Sequence, residues 1–557
     1  MMSRSLGHRA PLLWLVLPFA GGLATGKAGM EFAPAWLLAG ALAAVIMAAW
    51  AAGRASRAWM PAICAAMFLA GTASYILHRQ RLPAWDALPP REARLSLRID
   101  RVFPQTDVKR SAGFATVVHA DGHLGDLVGQ RLYFSLTLGK GEPPPVRSAV
   151  VTAVGVLVTL PRNPPSDTFD SYLANAGMNF RLSRGRVLAV ERPPTRYQAF
   201  LERTAGRLNA LLSVGVAAKL NEWLRAGVAA KRPELAAVFR AMMLGQKHEL
   251  SDEQDALFMH SGTMHLFAIN GLHIGVVALA LHTLLAVLRC PRPAAALVTL
   301  AVLWLDVDAT GASPSAVRAF ILVACYETAF VLRRPGNGIA ALAAAALVVL
   351  LIEPMALFSA SFQMSYGVVL AILTFGLPLA DRLAARFAPF RDLPEATWAW
   401  WQKMLAQALR WFWPVLGIGL AAALVSAVTG PEFFHVWAPA GLVSNLVLVP
   451  LAMLVIVAGF AAVAAGLAGA TVLGALFNHA AILILWGIDA LVRLGVRVPG
   501  AWWAANWRAP WVASVALALL LTALLAGYAG GWKKERGGWW PPLAVAALGL
   551  LLGVKFG

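Results

Sequence analysis

Apolar runs about as long as a membrane crossing recur along this chain, separated by short basic or Pro/Gly-rich breaks. They occupy 11–29, 35–52, 59–77, 271–289, 314–332, 338–353, 357–379, 411–429, 439–465, 471–492, 510–529 and 540–555, with a shorter run at 294–305. A helix of ~20 apolar residues spans the hydrocarbon of a bilayer. The pattern therefore predicts a polytopic α-helical membrane protein with about 11–13 full or partial spans. One long segment breaks it. Between Arg79 and Arg196 the period drops to two in "RLSLRIDRVF", "GFATVVHA", "QRLYFSLTL", "AVVTAVGVLVTL" and "FRLSRGRVLAV", the alternation of half-buried strands. Asp121-Gly122, "GKGEPPP" and "PRNPPSD" supply turn chemistry between them. Five short strands predict a small inserted β-barrel, OB-like in the first instance; a small sandwich fits the same string.

Residues 198–259 read as amphipathic helices whose charges recur on one face. They are expected to lie flat on the outer membrane surface or to pack on the barrel. "TWAWWQK" reads as an interfacial helix, because Trp favours the headgroup level. The expected organisation is three spans at 1–78, the β domain at 79–197, surface helices at 198–262, the main helical domain at 263–530, and a loop with a last apolar helix at 531–557.

Composition agrees: 59% of the residues are hydrophobic and 13% charged, too few charges to cover a soluble protein of 557 residues. Lys and Arg number 47 against 28 acids. Part of that surplus is cytoplasmic-loop bias. Segment 79–196 nevertheless carries 17 Lys and Arg against 10 Asp and Glu. Arg4, Arg9, Arg54 and Arg57 flank the first spans, which puts the β domain outside, and the basic-apolar start reads as a retained span rather than a cleaved leader. Cys64, Cys290 and Cys325 have no paired spacing and read as small core residues.

Candidate chemistry concentrates in "TMHLFAINGLHIGVVALAL", which sets His265, Asn270, Gly271 and His273 at the mouth of an apolar run. Asn270 and His273 share a helix face, whereas His265 falls elsewhere or precedes the helix. Gly271 permits a close backbone approach or a helix break. Polar groups at that depth either bond to neighbouring helices or line a cavity. Arg318 sits one turn into a helix capped by Ser313, within snorkelling range of the interface, and Glu327 lies on roughly the opposite face. Gln363 and Asn445 interrupt two further apolar runs. Together these residues suggest a polar interior that passes something polar. "HADGH" has metal-like letters, but an Asp-Gly hairpin turn explains it more simply. No HExxH, GxSxG or phosphate-binding glycine loop occurs, so the chain is not read as an enzyme and no cofactor or metal is expected.

These residues resemble the ComEC family of competence proteins. "GTMHLFAINGLHIGV" is similar to that family's His-Leu-x-Ala-x-Ser-Gly-Leu-His signature, with Asn270 in place of Ser. "MLGQKHELSDEQDALFMHSG", "SPSAVRAF", "EPMALFSASFQMSY" and "GLVSNLVLVPL" resemble its other blocks in order, although Gly245-Gln246-Lys247 replaces Gly-Asp-Arg. "RNPPSDTFDSYLANAGM" resembles the segment closing the family's OB-like domain. The resemblance implies a bacterial inner-membrane protein that conducts single-stranded transforming DNA, with the OB-like domain holding the incoming strand. Its implied partners are single-stranded DNA, membrane lipids, a DNA receptor outside, a helicase-like motor inside and a separate nuclease. None of the eleven histidines here forms the His-x-His-x-Asp-His cluster of the metallo-β-lactamase-like domain that many members carry, so either a separate nuclease or a shortened paralogue is expected. His265, Asn270, Gly271, His273, Arg318, Gln363 and Asn445 are the expected path residues. Arg98, Arg101, Lys109, Arg110, Arg131 and Tyr133 are the expected nucleic-acid contacts, with Phe103, Phe114 and Phe134 as further platforms, of which one or two stack. The rival readings are a transporter of a smaller polyanion or lipid-linked precursor and a DNA-binding membrane scaffold that does not conduct.

Overall fold

The computed structural model describes residues 10–29, 32–54, 56–79, 89–103, 109–139, 142–161, 164, 168–216, 232, 234–245, 249–267, 271–333, 336–390, 393–533 and 537–557. Three helices come first: α1 (Leu13–Lys27), α2 (Pro34–Gly53) and α3 (Trp59–Arg79). α1 and α3 cross at Gly22 and Gly71, where a side chain on either would collide with the carbonyl of Phe68 or Phe19 on the other helix. Small residues allow this approach between membrane helices, whose association gains little from apolar burial.

The alternating segment forms β1 (Arg91–Phe103), β2 (Arg110–Ala120), β3 (Arg131–Thr137), β4 (Val150–Thr159) and β5 (Phe180–Arg192). They close into a barrel of order β1-β2-β3-β5-β4, with β3 and β5 parallel and the other neighbours antiparallel. This is the OB-like barrel inserted in a polytopic helical protein that the sequence predicts. The alternation sends Leu132, Phe134 and Leu136 inward from β3, where they join Leu95, Leu97, Ala153 and Leu182 in the core. The expected hairpin turn at Asp121-Gly122 is replaced by a short 3-10 helix, Gly122–Leu127. Leu124 and Leu127 explain the difference: both are fully buried in the barrel core, so the longer connection closes an open end of the barrel. A short helix, α4 (Phe169–Asn175), joins β4 to β5, with Thr168 accepting from the Ser171 N–H at its start.

α5 (Arg196–Ser213), α6 (Glu234–Leu244) and α7 (Asp252–His260) follow, and then α8 (Gly271–Val287), α9 (Arg292–Ala309), α10 (Pro314–Val331), α11 (Gly338–Ile352) and α12 (Ala360–Arg386). The rest is α13 (Trp400–Phe433), β6 (Val436–Trp437), α14 (Ala440–Leu467), α15 (Thr471–Val496), β7 (Trp503–Trp507), α16 (Pro510–Ala529), α17 (Trp540–Leu548) and β8 (Val554–Phe556). Among the described residues, eight helices are long and apolar enough to cross a membrane. Three shorter apolar helices, Gly271–Val287, Gly338–Ile352 and Trp540–Gly553, accompany them.

Three features depart from the expected outline. "TWAWWQK" is not a separate helix; from Trp400 on it forms the first turn of the 34-residue α13. The last apolar run ends in a strand, since β8 pairs with β7 and β7 with β6 to make a small sheet over one end of the bundle. α5 does not lie flat. Its side chains Leu208 and Leu212 pack into the core that α14 and α15 share with α6, so it stands along the bundle.

Candidate nucleic-acid interface

One row of side chains crosses four barrel strands. Arg101 on β1 is the register partner of Phe114 on β2, Phe114 of Tyr133 on β3, and Tyr133 of Arg181 on β5. Residues paired in register point to the same face of a sheet, so the row places two cations at the ends of two aromatics. α4 packs over the outer face of this row and buries Phe114 with Leu160, Leu173 and Met178. From there a chain of ring contacts runs outward: Phe103 to Tyr133 at 6.4 Å, Tyr133 to Phe169 at 5.1 Å, and Phe169 to Tyr172 at 6.0 Å. Phe169 and Tyr172 keep 49% and 54% of their surface exposed, enough for a base to lie on either ring. Burial pushes the Tyr133 phenol up and holds the Arg101 guanidinium below its ordinary value.

The expected contacts divide accordingly. Phe134 and Phe114 are core residues. Arg98 is exposed and pairs with Asp100 at 3.4 Å, while Lys109 and Arg110 are exposed at the start of β2. Arg131 turns toward the helical bundle and meets Glu353, just past α11, at 3.6 Å. Sequence reasoning missed Phe169 and Tyr172 as platforms; their signal was two aromatics one turn apart in a polar linker. It also missed Arg181, which Asp170 holds at 3.2 Å.

The barrel is fastened to the bundle at several places besides Arg131. The Arg79 guanidinium, at the end of α3, donates to the carbonyls of Met178 and Pro161 at 3.1 and 3.0 Å. Arg147 pairs with the buried Asp308 carboxylate near the end of α9. Glu353 lies within electrostatic reach of both Arg101 on the barrel and Arg318 in the bundle.

Inside the bundle, Arg318 does not snorkel. It is 5% exposed and donates to the Ser361 hydroxyl on α12. Charged residues within membrane segments face the bundle interior and take polar partners there. Tyr366, one turn further along α12, is near it as well. Gln363 donates to the Leu357 carbonyl at 3.1 Å and so closes the turn before α12. His265 belongs to the short turn Met264–Phe267 ahead of α8 and is exposed there. His273 is 4% exposed and its ring bonds to the Met242 backbone on α6. Asn445, near the start of α14, is half-buried. Asn270 lies outside the described residues. Gly271 opens α8, and among the described residues a methyl group there would meet only the Ala319 side chain, at 3.9 Å, so no close approach to a described backbone requires this glycine. The geometry thus forms one group at the barrel end of the bundle, Arg318 with Ser361, Tyr366 and Glu353, while Gln363 closes the turn before α12 and His265 and His273 flank the start of α8.

A further polar site lies deeper. Glu327 on α10 is 8% exposed and meets His282 on α8 at 2.8 Å, with Thr299 of α9 at 3.5 Å from the other ring nitrogen. Glu327 is visible in the sequence, but its partner sits 45 residues away on another helix. Among the described residues no group of three or more His, Cys, Asp or Glu could hold a metal ion.

Comparison with known proteins places these elements. ComE operon protein 3 of Bacillus subtilis (strain 168) is 30% identical over 141 residues, an alignment covering 25% of this chain and 18% of that protein's own length. No solved structure matches. Residues 242–529, from α6 to the end of α16, match the family described as Competence protein. That span holds the turn before α8, the Arg318 group and Asn445, and it is more than half of the chain, which therefore belongs to the competence protein family of the ComEC kind.

Proposed function

We propose that this protein conducts single-stranded DNA across the bacterial inner membrane during natural competence, with the barrel binding the incoming strand. The observation that carries the reading is the aromatic row ending in the exposed Phe169 and Tyr172, flanked by Arg101 and Arg181, on a barrel docked over the bundle end that holds the Arg318 group. Cations with stacking platforms are what a single strand of any sequence requires, since every base has a π-face and every linkage a phosphate. His265, Gly271, His273, Arg318, Gln363 and Asn445, together with Asn270, would line or shape the path below. Polar walls bind a hydrated polyanion weakly enough to release it.

The distribution of charge supports an extracytoplasmic barrel. α3 and α9 end at the barrel, so Arg54, Arg289 and Arg292 fall at the far end; α10 and α12 run away from it and bring Arg333 and Arg386 there too. Lys and Arg collect in cytoplasmic loops. A receptor outside, a motor inside and a separate nuclease complete the reading as partners. The test follows labelled duplex DNA in a strain deleted for this chain. DNA held in a DNase-protected outer compartment, with none reaching the cytoplasm, is the expected result. Normal arrival in the cytoplasm, with no second homologue present, would sink the proposal and favour a transporter of a smaller anion.

A further inference from the structure

α5 carries a charged face along the height of the bundle. Thr195 caps the helix through the Gln198 N–H at 3.3 Å, and its own N–H donates to Ser148 of the barrel at 3.1 Å. The first turn stays at the barrel end, where Tyr197 meets Asp308 and Trp304. The last turn reaches the opposite end: Asn478 of α15 donates to the carbonyls of Leu211 and Val214 at 2.9 and 3.1 Å, and Leu211 packs on Gly466 near the end of α14. Eighteen residues at about 1.5 Å each span roughly 27 Å, close to the thickness of the hydrocarbon layer.

Leu201 and Leu212 face inward, whereas Arg196, Phe200, Arg203 and Arg207 are exposed. Spacings of seven and four put the three arginines on one face. Arg207 lies about 16 Å along the axis from Arg196, too far for its side chain to snorkel back to the barrel-side interface. No acid among the described residues pairs with any of the three. Guanidinium groups facing hydrocarbon at mid-depth are costly, so such residues border water or a counter-charge.

We infer that Arg196, Arg203 and Arg207 form a cationic rail along one wall of a water-filled path and that the rail holds the phosphates of the strand leaving the barrel. The inference rests on the DNA-uptake reading and extends it, because β5 leads through Pro193 and Pro194 directly into the rail. A polyanion is the occupant that three arginines in line, with no acidic partner among the described residues, complement.

The experiment uses the full chain with Cys64, Cys290 and Cys325 replaced by Ala, restored to the deletion strain. Arg203→Cys and Arg207→Cys should react with membrane-impermeant charged thiol reagents. A negatively charged adduct should abolish uptake and a positively charged adduct should restore it. In purified protein, Arg203→Gln with Arg207→Gln should lower the salt dependence of oligonucleotide binding by about 0.7 in slope per arginine removed. Arg203→Lys with Arg207→Lys should retain uptake, which separates charge from folding. Failure of either cysteine to react, or unchanged uptake and salt slope in the glutamine pair, would overturn the rail. A disulfide between two copies at 207 with uptake intact would assign the face to a second subunit instead. If the unmutated chain fails to restore uptake, the DNA reading itself falls, while thiol labelling still reports whether the face is wet.

Discussion

Arg131 of the barrel lies 3.6 Å from Glu353 of the bundle, and the same carboxylate is within electrostatic reach of Arg318. A residue expected to hold nucleic acid is thus also a docking contact between the barrel and the helices beneath it. Both partners are substantially exposed, so the pair fixes orientation more than it adds stability. A double-mutant cycle with Arg131→Gln and Glu353→Gln should give a coupling of under about 1 kcal/mol in thermal unfolding. A larger coupling would mean that the pair is closed to water in the membrane.

The aromatic row separates stacking from core packing. Tyr172→Ala and Phe169→Ala should leave the unfolding temperature nearly unchanged and weaken single-strand binding by about 1–3 kcal/mol each. Phe134→Ala, in the barrel core, should cost about 3–5 kcal/mol of stability. Oligonucleotide titration beside thermal melts checks both. Equal binding losses for the three variants would show that only folding is being read.

Acid should weaken the barrel at one identifiable place. Ser96 at 2.6 Å and Thr152 donate hydrogen bonds to the Glu191 carboxylate, and these hold it below the usual glutamate value of 4.5. A carboxylate depressed in the folded state adds stability above its unfolded value, and that stability is lost as the pH falls through the lower folded value. Glu191→Gln should therefore flatten the decline in melting temperature below pH 4.5 and leave the decline at higher pH unaltered. An identical acid profile in the variant would contradict the assignment.

The His282–Glu327 pair makes a prediction of opposite sense for one and two substitutions. His282→Ala leaves the buried Glu327 carboxyl without its imidazole hydrogen-bond partner and should destabilise by about 1–3 kcal/mol. Adding Glu327→Leu removes the unsatisfied polar group and should recover most of that loss. Thermal unfolding in one detergent compares the three proteins. A double variant no better than the single would mean that Glu327 is held by other groups.

How far the sequence carried the fold is clearest in the barrel. Strand alternation is a property of consecutive residues, and each of the five alternating runs became a strand within a few residues of its expected ends. The spans were legible for the same reason, since apolar length is local. The turn at Asp121-Gly122 was not, because two leucines further on were drawn into the barrel and lengthened the connection.

The site divides along the same line. The sequence by itself determined that His265, His273, Arg318, Gln363 and Asn445 are polar groups set in apolar surroundings, that a basic segment interrupts the helices, and that the ComEC-type motif order is present. Only the tertiary structure decided their company: Arg318 with Ser361, Glu327 with His282, Tyr133 between Phe114 and Arg181, and α5 standing along the bundle with its arginines outward. Hydropathy and helical period specify a residue's own depth and face. Which element covers that face is settled by packing between segments tens to hundreds of residues apart, a contact no local pattern encodes.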